Sequence, residues 1–268
     1  MKVVWFTDLD RTLIHSKYFL NDEYKGNPVC VEYKDGEPLS YMEDKGEKLL
    51  KELLNNDNLL VVPVTARSIE QYNRIIPFQE HKGYAITSNG GHIIHNNVID
   101  EEWHNNLLNK IEDCDFNELV KTLNGKYSEY LRKPFRLVDD TCIYAVIDGD
   151  KYKDAIKLFE SDTLINSNNL YTTIQASKVY INHREATKEI AVKKFIEKIK
   201  SEYEDAYIIA SGDGLLDKGF VSLADLKIAP KGTPLAMNLE NVTIVSDGIL
   251  GAVEMMLMIN KIAKGEKH

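Results

Sequence analysis

The sequence predicts an α/β protein: a Rossmann-like parallel-sheet core into which a smaller α/β cap domain is inserted. Three observations carry that expectation. Short apolar runs recur along the 268 residues without polar alternation, as expected of parallel strands covered on both faces. Amphipathic helical stretches separate them, as strand–helix–strand crossovers require. The middle third, 100–177, breaks that rhythm with helices and strands of its own, so 1–99 and 178–268 read as one core interrupted by an insert.

The first strand is VVWF (3–6), ending in Asp8 and Asp10. PVCVEYKDGEPLSYM (28–42) reads as a hairpin turning at Lys34-Asp35-Gly36, placed to act as a flap over those acids. MEDKGEKLLKELL (42–54) carries Leu49, Leu50, Leu53 and Leu54 on one helical stripe. LLVVPV (59–64) is the next strand, with Pro63 at its last turn because a central strand cannot spare an N–H. SIEQYNRII (68–76) opens on a capping box of Ser68 and Gln71, and YAIT (84–87) is a further strand. In the insert, LLNKIEDCDFNELVKTL (107–123) and DKYKDAIKLFE (150–160) read as helices, TCIYAVID and LYTTIQA as strands. The core resumes at Lys178, with a helix over 188–203 and strands YIIA (207–210), LKIA (226–229) and VTIV (242–245). Asp247 caps a last helix that carries Val253, Met256 and Leu257.

A net charge of -9, from 33 Lys+Arg against 42 Asp+Glu, argues against nucleic acid or an anionic membrane as partner. Cys30, Cys114 and Cys142 are odd in number and widely spaced, as expected of reduced thiols in the cytoplasm. The apolar run at the N-terminus is too short for a signal peptide, and no stretch approaches the roughly 20 apolar residues of a membrane helix. A soluble, cytoplasmic protein is expected.

The chemistry gathers where ligands bind in such sheets, beyond the carboxyl ends of the strands. Asp8 and Asp10 follow the first strand, with Thr12 two further on, and Thr65 follows the second. SGDGLLD (211–217) brings Asp213 and Asp217, and Lys188 begins the helix leading to that strand. Four carboxylates in one crevice need a counter-charge, which a hard cation such as Mg²⁺ supplies, especially where phosphate is the other ligand. A carboxylate can then attack phosphorus while a second moves the leaving group's proton, and lysine and threonine stabilise the phosphoryl oxygens. His92 and His95 in HIIH would point to opposite faces of a strand and read as structural.

DLDRTL, VTARS, ATKEIA and GDGLLD together resemble the four motifs of the haloacid dehalogenase superfamily of phosphohydrolases. The insert and TSNGGHI (87–93) resemble its Cof-like, sucrose-phosphatase-like branch, which carries a mobile α/β cap between the second and third motifs. The resemblance implies Asp8 as nucleophile, Asp10 as general acid and base, Thr65 and Lys188 as phosphate ligands, and Mg²⁺ on Asp8, Asp213 and the backbone carbonyl of Asp10, with Thr12 and Asp217 in support. Arg67 and Asn89, beside motif positions, are candidate substrate contacts; Arg132, Arg136, Lys178 and His183 lie in or near the core–cap cleft. Arg11 stands where the family usually has glycine, Glu189 replaces the glycine after the motif lysine, and GLLD lacks the common Asn. The expected activity is Mg²⁺-dependent hydrolysis of a small phosphorylated metabolite, a sugar phosphate foremost, through an aspartyl phosphate. A phosphomutase using the same intermediate is the alternative. A non-hydrolytic phospho-receiver module is disfavoured by the order of the acids and by length.

Overall fold

The structure is a computed structural model that describes all residues except 1, 23, 168, 200–202, 204, 267 and 268. The chain opens with β1 (Val3–Thr7), forms a hairpin of β2 (Pro28–Lys34) and β3 (Glu37–Glu43), and returns through α1 (Asp44–Leu54) into β4 (Leu59–Pro63). A short pair, β5 (Tyr84–Thr87) and β6 (His92–His95), precedes the insert. The insert runs α2 (Glu101–Lys110), α3 (Phe116–Tyr127), β7 (Leu131–Val138), β8 (Cys142–Ile147), α4 (Tyr152–Ser161), β9 (Leu170–Gln175) and β10 (Lys178–His183). The chain closes with α5 (Lys188–Ile199), β11 (Tyr207–Ser211), β12 (Leu226–Pro230), β13 (Thr243–Val245) and α6 (Gly248–Ala263).

Five strands form the parallel core sheet in the order β13-β12-β11-β1-β4. All five residues of β1 are buried, which explains its unbroken apolar run. Trp5 and its sheet neighbours Val61 and Ile209 pack under α1 and α6, through Leu50, Leu53, Met256 and Ile259. Val4 and Phe6 face α5, against Val192 and Phe195. Pro63 closes β4 opposite Thr7, where the lost N–H interrupts no further pairing. Tyr84–Thr87 meets this sheet at a bridge between Val64 and Ile86, and pairs antiparallel with β6.

The insert folds on its own antiparallel sheet, ordered β9-β10-β8-β7. One face of that sheet buries Phe135, Ile143, Ala145, Val179 and Ile181 against Leu119 and Leu123 of α3 and Phe159 of α4. The return to the core therefore lies later than the sequence suggests. Lys178–His183, read above as the start of the resumed core, pairs with β8 on one side and β9 on the other. Its alternating Val179 and Ile181 belong to the insert's apolar cluster.

Two local readings also change. The helix expected over 68–76 keeps its capping box but ends at Tyr72, and a second turn, Ile76–Gln79, restarts around Pro77. The single helix read over 107–123 breaks at 111–115, where Asp115 caps α3 by accepting from Glu118 N at 3.0 Å. α5 is described as far as Ile199, and 200–202 of the longer reading lie outside the described residues. Among the described residues no helix is long and apolar enough to cross a membrane.

Candidate active site

The carboxyl end of β1 is anchored before it delivers any charge. Trp5 Nε1 donates to Ser211 Oγ at 3.0 Å, Ser211 Oγ to Thr7 Oγ1 at 2.9 Å, and Asp8 N to Ser211 O at 2.9 Å. Asp8 thus leaves the sheet from a fixed point between β4 and β11. The chain then turns through Arg11, whose φ of 63° is the left-handed conformation that glycine adopts freely. That is the position at which the resemblance leads one to expect glycine.

Lys188, 3% exposed at the start of α5, lies between two acids: its Nζ reaches Asp8 Oδ1 at 2.7 Å and Asp217 Oδ1 at 2.6 Å. Asp217 Oδ2 accepts from the backbone N–H of Asp213 at 3.1 Å and of Gly214 at 2.8 Å. Asp217 therefore uses one oxygen to hold Lys188 and the other to shape the loop, without the Asn that the motif commonly supplies. Thr12 Oγ1 makes a long 3.4 Å contact with Asp8 Oδ2. Thr65, buried at the end of β4, accepts from Arg67 N at 3.1 Å.

Asp8, Asp213 and Asp217 bring carboxylate oxygens within 4.8 Å of one another. Asp213 is fully buried, yet its Oδ2 has no hydrogen-bond partner and meets only the Arg11 guanidinium, at 3.6 Å. One ammonium among three carboxylates leaves the cluster short of positive charge. Burial and then the charge of Asp217 raise Asp8 well above the carboxylate range, and the same two causes push Asp213 up to about 7. Burial works against the charge of Lys188, but Asp217 and Asp8 hold it above its ordinary value. An all-oxygen, electron-rich donor set with an unpartnered buried oxygen fits a hard divalent cation such as Mg²⁺.

Asp10 has the opposite environment. Arg67 grips it bidentately, Nε to Oδ2 at 2.7 Å and Nη2 to Oδ1 at 2.8 Å. Burial alone would raise Asp10, but this guanidinium outweighs it and holds the carboxyl well below its usual range. Arg67 also reaches Glu32 Oε1 at 2.8 Å, and Glu32 takes Arg74 at 3.1 Å and the Ser40 hydroxyl at 2.6 Å. Glu32 and Ser40 belong to the 28–43 hairpin, so the expected flap is tied to the acids through Arg67.

A cleft of about 410 Å³ opens between core and insert over these groups. Asp8, Asp10, Thr65, Arg67 and Lys188 line its floor; Arg136, Tyr144, Gln175, Lys178 and Tyr180 come down from the insert. The insert touches the acidic cluster directly, since Gln175 Nε2 donates to Asp213 Oδ1 at 3.1 Å. Asn89 turns away from the cleft, into the junction: its Nδ2 donates to Asn182 Oδ1 at 2.9 Å. Beside it Gly90, at φ 99°, lies so close to Thr187 O that a Cβ would come within 2.3 Å. His183 is buried facing Asp113, and Arg132 is an exposed residue outside the cleft. His92 is buried and His95 exposed, as opposite faces of β6 require. Glu32, Arg74, Ser40, Tyr144, Gln175 and Tyr180 were not singled out by the sequence; each enters through a tertiary approach that no local motif encodes.

A capped α/β architecture, with carboxylates and a buried lysine at the carboxyl ends of a parallel sheet, is the class that fold and site define. The chain has the fold of the haloacid dehalogenase-like hydrolases. No family model matches it, and no curated protein matches it in sequence. Among solved structures it is similar to the sucrose-phosphatase of Synechocystis in complex with sucrose and phosphate, at 14% identity and TM-score 0.64, with 97% of this chain and 99% of that one covered. It is also similar to the C-terminal domain of the C. albicans trehalose-6-phosphate phosphatase, at 12% identity and TM-score 0.68, over 98% and 93%. A haloacid dehalogenase-like hydrolase from B. subtilis matches at 16% identity and TM-score 0.59, over 96% and 99%.

Proposed function

We propose that the protein is a Mg²⁺-dependent phosphatase acting on small phosphorylated metabolites, sugar phosphates foremost, through an aspartyl phosphate on Asp8. The observation that carries this reading is the buried Lys188 between Asp8 and Asp217, beside the unpartnered oxygen of Asp213. Similarity in fold to a sucrose-phosphatase and a trehalose-6-phosphate phosphatase supports the substrate class. So does a cleft volume in the range of small-molecule sites.

The Asp8 carboxylate attacks phosphorus, the bond to the leaving oxygen breaks, and Asp10 gives that oxygen a proton. Asp10 then takes a proton from the water that attacks the aspartyl phosphate, releasing inorganic phosphate and restoring Asp8. Thr65 and Lys188 bind the phosphoryl oxygens throughout, and their stabilising effect grows as charge builds in the transition state. Arg67 holds Asp10 ionised, the form suited to the base half of the cycle. The acid half needs Arg67 to turn toward the bound phosphoryl group, so that the released Asp10 takes up a proton from solvent before it gives one to the leaving oxygen. Asp8 and Asp213, with the backbone carbonyl of Asp10, are the residues that would hold Mg²⁺, which supplies charge neutralisation when bound.

The test is phosphate release from a panel of sugar phosphates with Mg²⁺ and with EDTA, using Asp8→Asn as control. Release that needs both Mg²⁺ and Asp8 is expected. Undiminished turnover in Asp8→Asn overturns the mechanism, and release of nothing by a folded, Mg²⁺-loaded protein overturns the hydrolase reading.

A further inference from the structure

Alternation along the insert's strands divides its sheet into two unlike faces. Phe135, Ile143, Val179 and Ile181 point into the insert's own core. The intervening residues face the cleft instead. Arg136, Tyr144 and Tyr180 sit opposite one another on three adjacent strands, and Lys178 lies one row along, opposite Val146. All four line the cleft. The Arg136 guanidinium stacks 5.3 Å from the Tyr144 ring centroid, which holds its plane against the aromatic surface.

The charges in the cleft do not balance evenly. On the floor, Asp8, Asp10, Glu32 and Asp217 are shared among Lys188, Arg67 and Arg74, and Arg11 approaches Asp213. Neither Arg136 nor Lys178 makes an ion pair among the described residues. In a chain of net charge -9, two cations with no carboxylate in ion-pair contact face the cleft, Arg136 exposed and Lys178 half-buried with its charge acting on Asp10. A transferring phosphoryl group is served from the floor by Thr65 and Lys188, on the opposite wall. An uncharged leaving group would cover the exposed Arg136 and leave Lys178 only the charge of Asp10 beyond ion-pair distance, at a desolvation cost. A leaving group with its own negative charge would meet two charge-assisted hydrogen-bond donors.

We propose that the leaving group of the substrate carries a second anionic group, a carboxylate or another phosphate, held by Arg136 and Lys178 while Tyr144 and Tyr180 pack against its carbon skeleton. The proposal rests on the phosphatase reading above, and it narrows the substrate from sugar phosphates in general to acidic ones.

The experiment compares kcat/KM for fructose 6-phosphate, fructose 1,6-bisphosphate, 6-phosphogluconate and p-nitrophenyl phosphate. It uses the wild type and an Arg136→Gln/Lys178→Gln double variant whose fold is checked by thermal unfolding. The wild type is expected to favour at least one of the two doubly anionic compounds over fructose 6-phosphate by about 10-fold or more, and the double variant to lower that ratio about 10- to 100-fold, mainly through KM. Which compound gains tells carboxylate from phosphate. A wild-type preference for fructose 6-phosphate, or a ratio unchanged in the double variant, overturns the subsite and leaves the phosphatase standing. If none of the four is hydrolysed, it is the phosphatase reading that fails. Calorimetric binding of 6-phosphogluconate and fructose 1,6-bisphosphate to Asp8→Asn then decides the subsite: affinity lost when the two cations are also replaced supports it, and affinity absent or unchanged overturns it.

Discussion

The floor and the roof of the cleft are built on different principles. On the floor, the acids are paired with Lys188 and Arg67, and Asp213 Oδ2 alone of the cluster's oxygens named above has no hydrogen-bond partner, meeting Arg11 at 3.6 Å. On the roof, Arg136 and Lys178 form no ion pair among the described residues, and Gln175 donates to Asp213 of the acidic cluster. A preorganised floor suits chemistry that is the same for every substrate, since groups already aimed at the transition state need not reorganise. An uncommitted roof suits selection of the leaving group. The difference teaches that the two halves should respond differently to substitution: floor changes should disable the protein, roof changes should retune it.

The largest effect expected tests the floor. Asp8→Asn should lower turnover by about 10⁴-fold or more while leaving thermal unfolding close to wild type, as expected of the nucleophile proposed above. Turnover within tenfold of wild type would erase the distinction between the halves. Next, Lys188→Met leaves Asp8 and Asp217 buried without their shared cation, and removing one partner of such a pair costs about 3–5 kcal/mol. Urea unfolding measures it, and a loss below about 1 kcal/mol would mean the floor is not locked by this cation.

The seam between the halves should respond to pH. His92 is 5% exposed, stacks on His104 at 4.1 Å between ring centroids, and has Asp139 and Asp140 nearby. Burial, and then the charge of His104, lower it to about 4 from an ordinary 6.5. The unfolded chain takes up this proton first as pH falls, so the contribution of His92 to stability is whole above pH 6.5, shrinks below it and levels off near pH 4. The full loss is roughly 3 kcal/mol, at 1.36 kcal/mol per pKa unit. Urea unfolding at pH 7, 5 and 4 should show a smaller acid loss in His92→Gln than in wild type, and parallel curves would refute the assignment. The smallest effect is expected on the insert's outer surface: Arg132→Ala, on the same strand as Arg136 but outside the cleft, should change stability by no more than about 0.5 kcal/mol and leave substrate ratios alone. A shift in those ratios would mean that the roof's charge acts at long range rather than through Arg136 and Lys178.

The floor was legible in the sequence for a physical reason. Asp8, Thr65, Lys188, Asp213 and Asp217 each sit at a strand end or helix start, so local pattern locates them and sheet topology brings them together. The roof was harder to read. β7 (LRKPFRLV) contains Pro134 and three charges, so no apolar run marks it as a strand. It tolerates both because it is an edge strand whose open face lines a polar cleft. KVYINH, at 178–183, gives no local sign of which sheet it joins, and only its pairing with β8 and β9 assigns it to the insert. Glu32 resembles any hairpin glutamate until Arg67, 35 positions away, turns toward it.

The central place of β1 also bears on how the protein is made. Synthesis releases this strand about two hundred residues before its neighbour β11. Until then its apolar residues have one sheet partner and an unfilled edge, while the insert, with its own sheet and apolar cluster, can condense alone. A ribosome stalled before residue 213 therefore carries Asp8 but not the carboxylate it must face, together with an exposed VVWF edge that chaperones or proteases can engage. On the function proposed above, competence arrives with the last third of the chain, and truncated products are expected to be inert as well as conspicuous.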